Sequence, residues 1–238
     1  MRSILKWALR LFLLALVLVV LFFLSLDTLL RTVVEHNLRA QTGMVAQIGR
    51  FHLGLTEPVV EIKNLQLYNT KQFGGAPFLN IPEIHVEYDR AALAKGEIHL
   101  TLLRFNLGEL DVVKSQDGQT NLLSLGLELP TQKAPAGAKT PALPDFKRQT
   151  GLDFKGIDCL TVSVGTFKYV DLQNQKNNQE QKIGVENFVV TNVVSAADLA
   201  GLGLLVGLRS GDVFKPLIEP GDSGAVESGK DLLKILGR

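Results

Sequence analysis

The sequence predicts a mainly β protein with α: an N-terminal transmembrane helix, then a curled, groove-like antiparallel β-sheet, then short C-terminal helices. Three observations carry this fold class. A long apolar run lies near the N-terminus, most of the chain from 44 to 194 alternates apolar and polar residues with the period of strands, and residues 195–208 are apolar nearly all round at helical spacing. We expect the twist of the sheet to curve it.

The apolar run predicts a membrane anchor within residues 1–26. From Leu11 to Leu26 only Ser25 is polar, and "WAL" extends the apolar stretch back to Trp7. This length meets the roughly 20 residues that a helix needs to cross the hydrocarbon layer. The predicted anchor residues include Trp7, Leu11, Leu18 and Leu26.

Basic residues before the run predict the orientation of the anchor. Arg2, Lys6 and Arg10 precede it, which by the positive-inside tendency leaves the N-terminus in the cytoplasm and the bulk of the chain outside. The alternative is a cleaved signal peptide. That reading is disfavoured because the run exceeds the usual ~7–15 residues and "LSLD" offers no small-residue cleavage pattern.

The remaining chain divides into three predicted regions. Residues 27–43 place apolar side chains at helical spacing and predict an amphipathic helix. Residues 44–194 form the predicted antiparallel sheet domain, with a Pro/Ala-rich linker at 128–150. Residues 195–238 form a C-terminal helical segment and tail, whose helix we expect to cap one end of the sheet.

Two connections within the predicted sheet have recognisable signals. "RAALAKG" is long enough for one helical turn between strands, and "QNQKNNQEQK" is polar enough to be an exposed hairpin tip. The short spacings between most runs favour antiparallel neighbours over crossover connections.

Composition and isolated motifs argue against nucleic-acid binding and catalysis. Lys and Arg number 25 against 24 for Asp and Glu, and there is no basic run. The single Cys159 is interpreted as a small core residue. His85 and His99 on paired strands are a conceivable metal or acid–base pair, but we interpret them as polar positions on the wet face of the sheet. "GAVESGKD" nearly matches a phosphate loop but has Asp231 where a hydroxyl is required. We predict no enzyme activity and no cofactor.

Several short segments stand in a specific order behind the anchor and the amphipathic helix. They are "TG…IG" at 43–49, "IKNLQLYN" at 62–69, the Ala-Leu-x-x-Gly-x-Ile run at 92–98, "DGQTNLL" at 117–123 and "VSVGTFKYVD" at 162–171. In this order they resemble the N-terminal region of the AsmA family, and they are similar to the related TamB and chorein-type bridge-like lipid-transfer proteins.

The resemblance implies a location, a fold and a function. Family members are anchored in the bacterial inner membrane, project into the periplasm, and form a long curled β-sheet with an apolar groove that moves phospholipid toward the outer membrane. This chain is shorter than that pattern. About eight to ten strands at ~4.8 Å spacing would make a trough of only roughly 35–45 Å.

Two classes of function therefore remain open at the level of sequence. The first is a lipid-handling module, with phospholipid acyl chains on the apolar face of the sheet. The second is a membrane-anchored scaffold that docks an envelope protein partner through a sheet edge or the apolar C-terminal helix. A compact sandwich, in which two sheets bury each other, is the rival for the fold. The residues expected to contact lipid are Ile84, Val86, Tyr88, Ile98, Leu100 and Leu102.

Overall fold

The protein is described by a computed structural model that covers residues 25–54, 56–122, 147, 150–211 and 213. It is mainly β with a few short helices, as the sequence predicts, and its open sheet has six described strands rather than the eight to ten expected. The predicted span lies outside these residues apart from its last two positions, and so does nearly all of the linker at 128–150. Within the part of the chain that is described, no helix has both the length and the apolar character needed to cross a bilayer.

The strands follow one another across the sheet in chain order. Two of the predicted apolar runs, on either side of Gly108, join into the single long strand β4. Five gaps of about 4.8 Å make the described sheet about 24 Å wide, which is narrower than the trough expected from sequence. The strands are β1 (Val45–Leu53), β2 (Val59–Tyr68), β3 (Pro77–Tyr88), β4 (Glu97–Lys114), β5 (Asp153–Asp171) and β6 (Gln179–Val193).

The prediction of a wholly antiparallel sheet is wrong at one pair of strands. β4 and β5 run parallel, from Glu97 opposite Asp153 to Lys114 opposite Asp171, while the other neighbours are antiparallel. Parallel neighbours need a long connection that returns to the starting end of the first strand, and residues 115–152 supply its length. The sheet is therefore mixed.

This topology gives the sheet two ends with different connections. The near end holds the loop before β2, the β3–β4 connection, the start of β5 and the end of β6, at residues 56–58, 89–96, 150–152 and 194–199. The far end holds the opposite connections, at residues 43–44, 69–76, 115–122 and 172–178.

Helix α1, residues 25–42, begins at the near end and covers the free edge of β1. The Glu35 carboxylate accepts a hydrogen bond from the backbone N–H of Ile48 (2.7 Å), and the Asp27 carboxylate accepts one from that of Leu53 (3.1 Å). Leu38 packs into the core beneath. Because an edge strand offers unpaired N–H groups to other chains, these carboxylates protect the sheet from further pairing.

Two further helices connect or flank the strands. Helix α2 (Arg90–Ala94) is the single turn predicted between β3 and β4, and the Asp89 side chain accepts from its first backbone N–H groups. Helix α3 (Ala200–Ser210) packs against β6, and its Arg209 guanidinium donates to the carbonyl oxygen of Ile183 at 3.1 Å. Residues Leu202, Leu205 and Val206 of α3 contact the main core.

A transverse line of irregular positions divides the sheet into a near half and a far half; we call this line the crease. Backbone pairing is interrupted there on successive strands, and the spacing between apolar core residues changes from two to three, as from Ile62 to Leu65 on β2. Asn64 adopts a positive φ of 54°. Residues from both sides of the crease still pack in one cluster. The crease consists of Gly49, Asn64, Pro82, Gly108, Gly165 and Gly184.

Glycine is required in the crease where β4 and β5 meet. A Cβ atom added to Gly165 would lie 2.2 Å from the carbonyl oxygen of Gly108. Side chains cannot approach a backbone oxygen so closely, so only glycine lets the two strands remain adjacent at this point.

Candidate functional site

The two halves of the apolar face differ in how completely they are covered. In the far half Met44, Phe78, Val112 and Tyr169 are each at most 1% exposed and belong to a core cluster against which Leu38 of α1 also packs. In the near half the cover is uneven. The apolar residues of β1 to β4 that extend the same face are only partly buried, whereas on β5 and β6 the following are at most 6% exposed: Leu160, Val162, Val164, Val185 and Val193. The far half and the near half of β5 and β6 are therefore filled core, and the near half of β1 to β4 is an apolar surface left partly open.

A pocket of about 320 Å³ lies on this open surface and contains four of the predicted lipid-contact residues. Val86 and Tyr88 come from β3, and Ile98 and Leu100 come from the paired start of β4. These four side chains meet because both strands carry apolar residues at every second position on the same face. Its remaining apolar lining is Val60, Leu93 and Leu152.

The other two predicted lipid-contact residues lie elsewhere. Ile84 is deeper in the sheet and packs against the cluster of Ile48, Leu65 and Ile81. Leu102 lies opposite Glu87, on the polar face, because a β-bulge shifts the register between β3 and β4 next to Tyr88. An extra residue on one strand reverses the alternation beyond it, so Leu100 and Leu103, rather than Leu100 and Leu102, face the apolar side.

A second pocket, of about 400 Å³, adjoins the first at the near end. It is lined by Leu53 and Gly54 at the end of β1 and by residues of α2, and it shares Tyr88 and Leu93 with the first pocket. The two pockets together form an apolar recess between the end of β1 and the start of β4. We call this the near-end recess.

Charged residues stand along one rim of the recess. His99 Nε2 lies 2.8 Å from Asp158 Oδ1, and Nδ1 lies 3.8 Å from Asp89 Oδ2. The hydrogen bond to Asp158, reinforced by the charges of both carboxylates, raises the pKa of His99. A polar pocket of about 250 Å³ beside it adds Lys95 and Lys155. The recess is therefore an apolar pocket bordered by mixed charges.

The structure separates the two histidines that were considered as a pair. His85 lies opposite Arg104 in the register, and its Nε2 is 3.1 Å from Glu87, whereas His99 contacts Asp158. On the polar face the side chains of Glu61, Glu83 and His85 form a cluster that the sequence did not predict. Their potential metal-ligand atoms lie within 4.8 Å of one another.

Basic side chains already balance this acidic group. Lys63 Nζ lies 2.9 Å from Glu61, and Arg104 lies 3.5 Å from Glu83. The Lys63 hydrogen bond also lowers the pKa of Glu61. We interpret the group as a cross-strand ion-pair network on the wet face of the sheet.

Sequence reasoning also missed several residues of the recess itself. Val60 belongs to the alternating run of β2, so its periodicity was a usable signal. Leu93 and Leu152 lie in connections, where no periodicity indicates which way a side chain points. Of the predicted anchor residues, Trp7, Leu11 and Leu18 lie outside the described residues, and Leu26 is half-buried at the start of α1.

The fold and the recess define a class of protein: an open, mixed β-sheet whose apolar face is filled except for a recess at the near end, between the end of β1 and the start of β4. Comparisons with protein-family models, with curated proteins and with solved structures find no match for this chain.

Proposed function

We propose that this chain is an inner-membrane protein of the AsmA type that holds phospholipid acyl chains in its near-end recess and supports lipid homeostasis of the outer membrane. In this proposal residues 1–26 are a retained single span, the N-terminus is cytoplasmic, and the sheet is periplasmic. The sheet acts as a curled groove for lipid rather than as an enzyme, and it needs no cofactor.

The observation that carries the proposal is the uneven covering of one apolar face. Side chains and helices cover the far half and the near half of β5 and β6, yet β2, β3 and β4 continue their apolar alternation into a part of the near half with no comparable cover. Exposed apolar patches of several hundred Å² are uncommon on soluble monomers and usually mark a binding surface. The missing cover over the near half of β1 to β4 is what the proposal assigns to lipid.

The dimensions of the near half fit one leaflet's acyl chains. From Pro82 to Tyr88 the strand advances by about 20 Å, at about 3.3 Å per residue. A hydrocarbon core of about 30 Å corresponds to chains of about 15 Å in each leaflet. Each methylene removed from water contributes about 0.8 kcal/mol. A few methylenes buried along this surface are therefore enough to retain an acyl chain.

Site-specific photo-crosslinking in intact cells tests the proposal. A photoreactive residue at Val86 or Leu100, both lining the recess, is expected to capture phospholipid. The matched controls are His85 and Arg104, a cross-strand pair from the neighbouring positions of β3 and β4 that faces the polar side. Lipid adducts at neither Val86 nor Leu100, or equal adducts at all four positions, would refute the assignment.

A scaffold function is the second candidate, and exposed apolar residues around β6 favour it. Val189 and Val194 are 55% and 62% exposed, and Leu204 and Leu208 protrude from the outer side of α3. Such residues suit a contact with another envelope protein. Native mass spectrometry after gentle extraction separates the two functions, because a lipid-handling protein carries phospholipid mass and a scaffold carries its partner.

A further inference from the structure

Helix α1 carries two exposed apolar residues on the side that faces away from the sheet. Val34 and Leu38 pack against the core and so define the inner side of the helix. On the opposite side Leu29 and Val33 are 52% and 55% exposed. They are four residues apart and therefore lie on one line along the helix. We call Leu29 and Val33 the outer stripe.

Lipid does not reach the second residue of the outer stripe. In the proposed function the span of residues 1–26 and α1 are one helix, because α1 begins at Ser25, inside that span. A helix advances about 1.5 Å per residue, so Val33 lies about 10 Å beyond the end of the span. The headgroup layer extends only about 5–8 Å beyond the hydrocarbon on each side. A partner for this stripe is therefore protein rather than lipid.

A second copy of this chain presents a matching stripe at the same height above the membrane. Copies held in one membrane by the same anchor share one orientation, so their α1 helices lie parallel. Leu26, Leu29 and Val33 follow the spacing of three and then four residues of a parallel coiled-coil seam, with Leu29 at position d and Val33 at position a. Leucine at d and a β-branched residue at a favour pairs of parallel helices.

Charges do not oppose pairing along the outer stripe. The positions that face the other helix beside such a seam, e and g, are uncharged from the start of α1 to residue 37. The nearest base, Arg31, lies off the seam and pairs with Glu35 of its own helix at 3.8 Å. The seam ends at His36, whose polar ring takes the next d position. The uncharged e and g residues are Ser25, Leu30, Thr32 and Asn37.

We propose that two copies of this chain pair side by side in the membrane through α1, with Leu29 and Val33 of each copy packed against the same residues of the other. A symmetric pair of this kind is the commonest form of protein oligomer. The inference rests on the membrane anchor of the proposed function. It adds a partner to that function, and pairing and lipid holding use different surfaces, because neither residue of the outer stripe lines the near-end recess.

Disulfide crosslinking of the full-length protein in membranes tests the pairing. Cys159→Ala removes the single native cysteine, and one new cysteine is introduced as Leu29→Cys, Val33→Cys or the control Thr28→Cys. Thr28 is also exposed, but it lies off the outer stripe. In a parallel pair in register each position meets its own copy, and a disulfide needs Cβ atoms about 3.5–4.5 Å apart. Dimers therefore report the geometry of the seam and not only proximity.

Mild oxidation at low protein density should link Leu29→Cys and Val33→Cys into dimers in yields about fivefold or more above that of Thr28→Cys. Val33→Lys places two like charges across the seam and should reduce the Leu29→Cys crosslink by about fivefold or more, whereas Thr28→Lys should change it less than about twofold. Equal yields at the three positions would indicate random collision. That result, the absence of dimers at positions 29 and 33, or a crosslink that Val33→Lys leaves unchanged would overturn the proposal.

Membrane fractionation of the same samples separates this inference from the proposed function. A chain that stays in the membrane without forming dimers would refute the pairing alone. Dimers at positions 29 and 33 without lipid crosslinks at Val86 and Leu100 would retain the pairing and refute the groove. A chain cleaved near residue 26 and released from the membrane would refute the anchor and, with it, the pairing.

Discussion

Replacing Gly165 with alanine should destabilise the sheet more than any other single methyl group added to a described glycine. The new Cβ would lie 2.2 Å from the carbonyl oxygen of Gly108, and real Cβ atoms keep at least 3.0 Å, so β4 and β5 must separate by about 0.8 Å. Overpacking of this kind costs about 1–3 kcal/mol. Each weakened ladder hydrogen bond adds about 1 kcal/mol, which gives an expected loss of about 3 kcal/mol.

The assay is urea unfolding of the full-length protein in a mild detergent, followed by the far-ultraviolet circular dichroism of the sheet. Gly201→Ala is the matched control, because an added Cβ meets nothing within 4 Å there and α3 is helical. That control should gain up to about 1 kcal/mol from helix propensity. If Gly165→Ala unfolds within about 0.5 kcal/mol of the parent, the strands are not held together at the crease as described.

Three further predictions use the same unfolding assay. Burial and the charge of Glu109 raise the pKa of Asp111 to about 6, and its Oδ1 is buried without a partner. The ionised carboxylate therefore destabilises the fold at high pH. At pH 8 Asp111→Asn should stabilise the fold by about 1 kcal/mol, after allowance for the partial exposure of the side chain. Below pH 3.8, the pKa of the carboxyl in the unfolded chain, the substitution should have no effect, because the carboxyl is protonated in both states. A constant difference across this range would contradict the pKa. Asn121→Ala should cost about 3 kcal/mol, because buried Asn121 bonds the Val113 N–H, the Asn69 side chain and the Asp111 carbonyl; a loss below about 1 kcal/mol would show that these groups find other partners. Glu35→Ala should cost about 1 kcal/mol and speed hydrogen exchange at the Ile48 amide, and unchanged exchange would mean that α1 does not protect the β1 edge.

Local patterns in the sequence predicted the elements of this fold better than their arrangement. Alternation identified the strands, and the single turn at Arg90–Ala94 and the exposed tip at Gln175–Asn177 lie where turn chemistry placed them. The parallel pairing of β4 with β5 has no local signature. It depends on the end of the sheet to which the long connection between them returns, and the composition of that connection does not indicate which end this is.

The candidate site shows a second limit of periodicity. Val86, Tyr88, Ile98 and Leu100 were found because they obey the alternation on both strands of the pair. Leu102 was assigned to the wrong face because one extra residue at a bulge moves the side chains beyond it to the other face of the sheet. A break of this kind in the alternation cannot be distinguished from an irregular sequence. The crease was not predicted for the same reason, because the three-residue spacing between apolar core residues occurs there only once on each strand.

The filled far half sets the throughput of any lipid handling by this chain. In the proposed function, a lipid held in the near-end recess cannot pass through the far half, where core side chains are at most 1% exposed, so it arrives and departs at the near end. One recess of this size holds at most about one lipid for each copy of the chain. Lipid binding should therefore saturate. Net movement across the envelope then requires an acceptor that visits the near end, and the flux should scale with the number of copies and with the rate of that encounter.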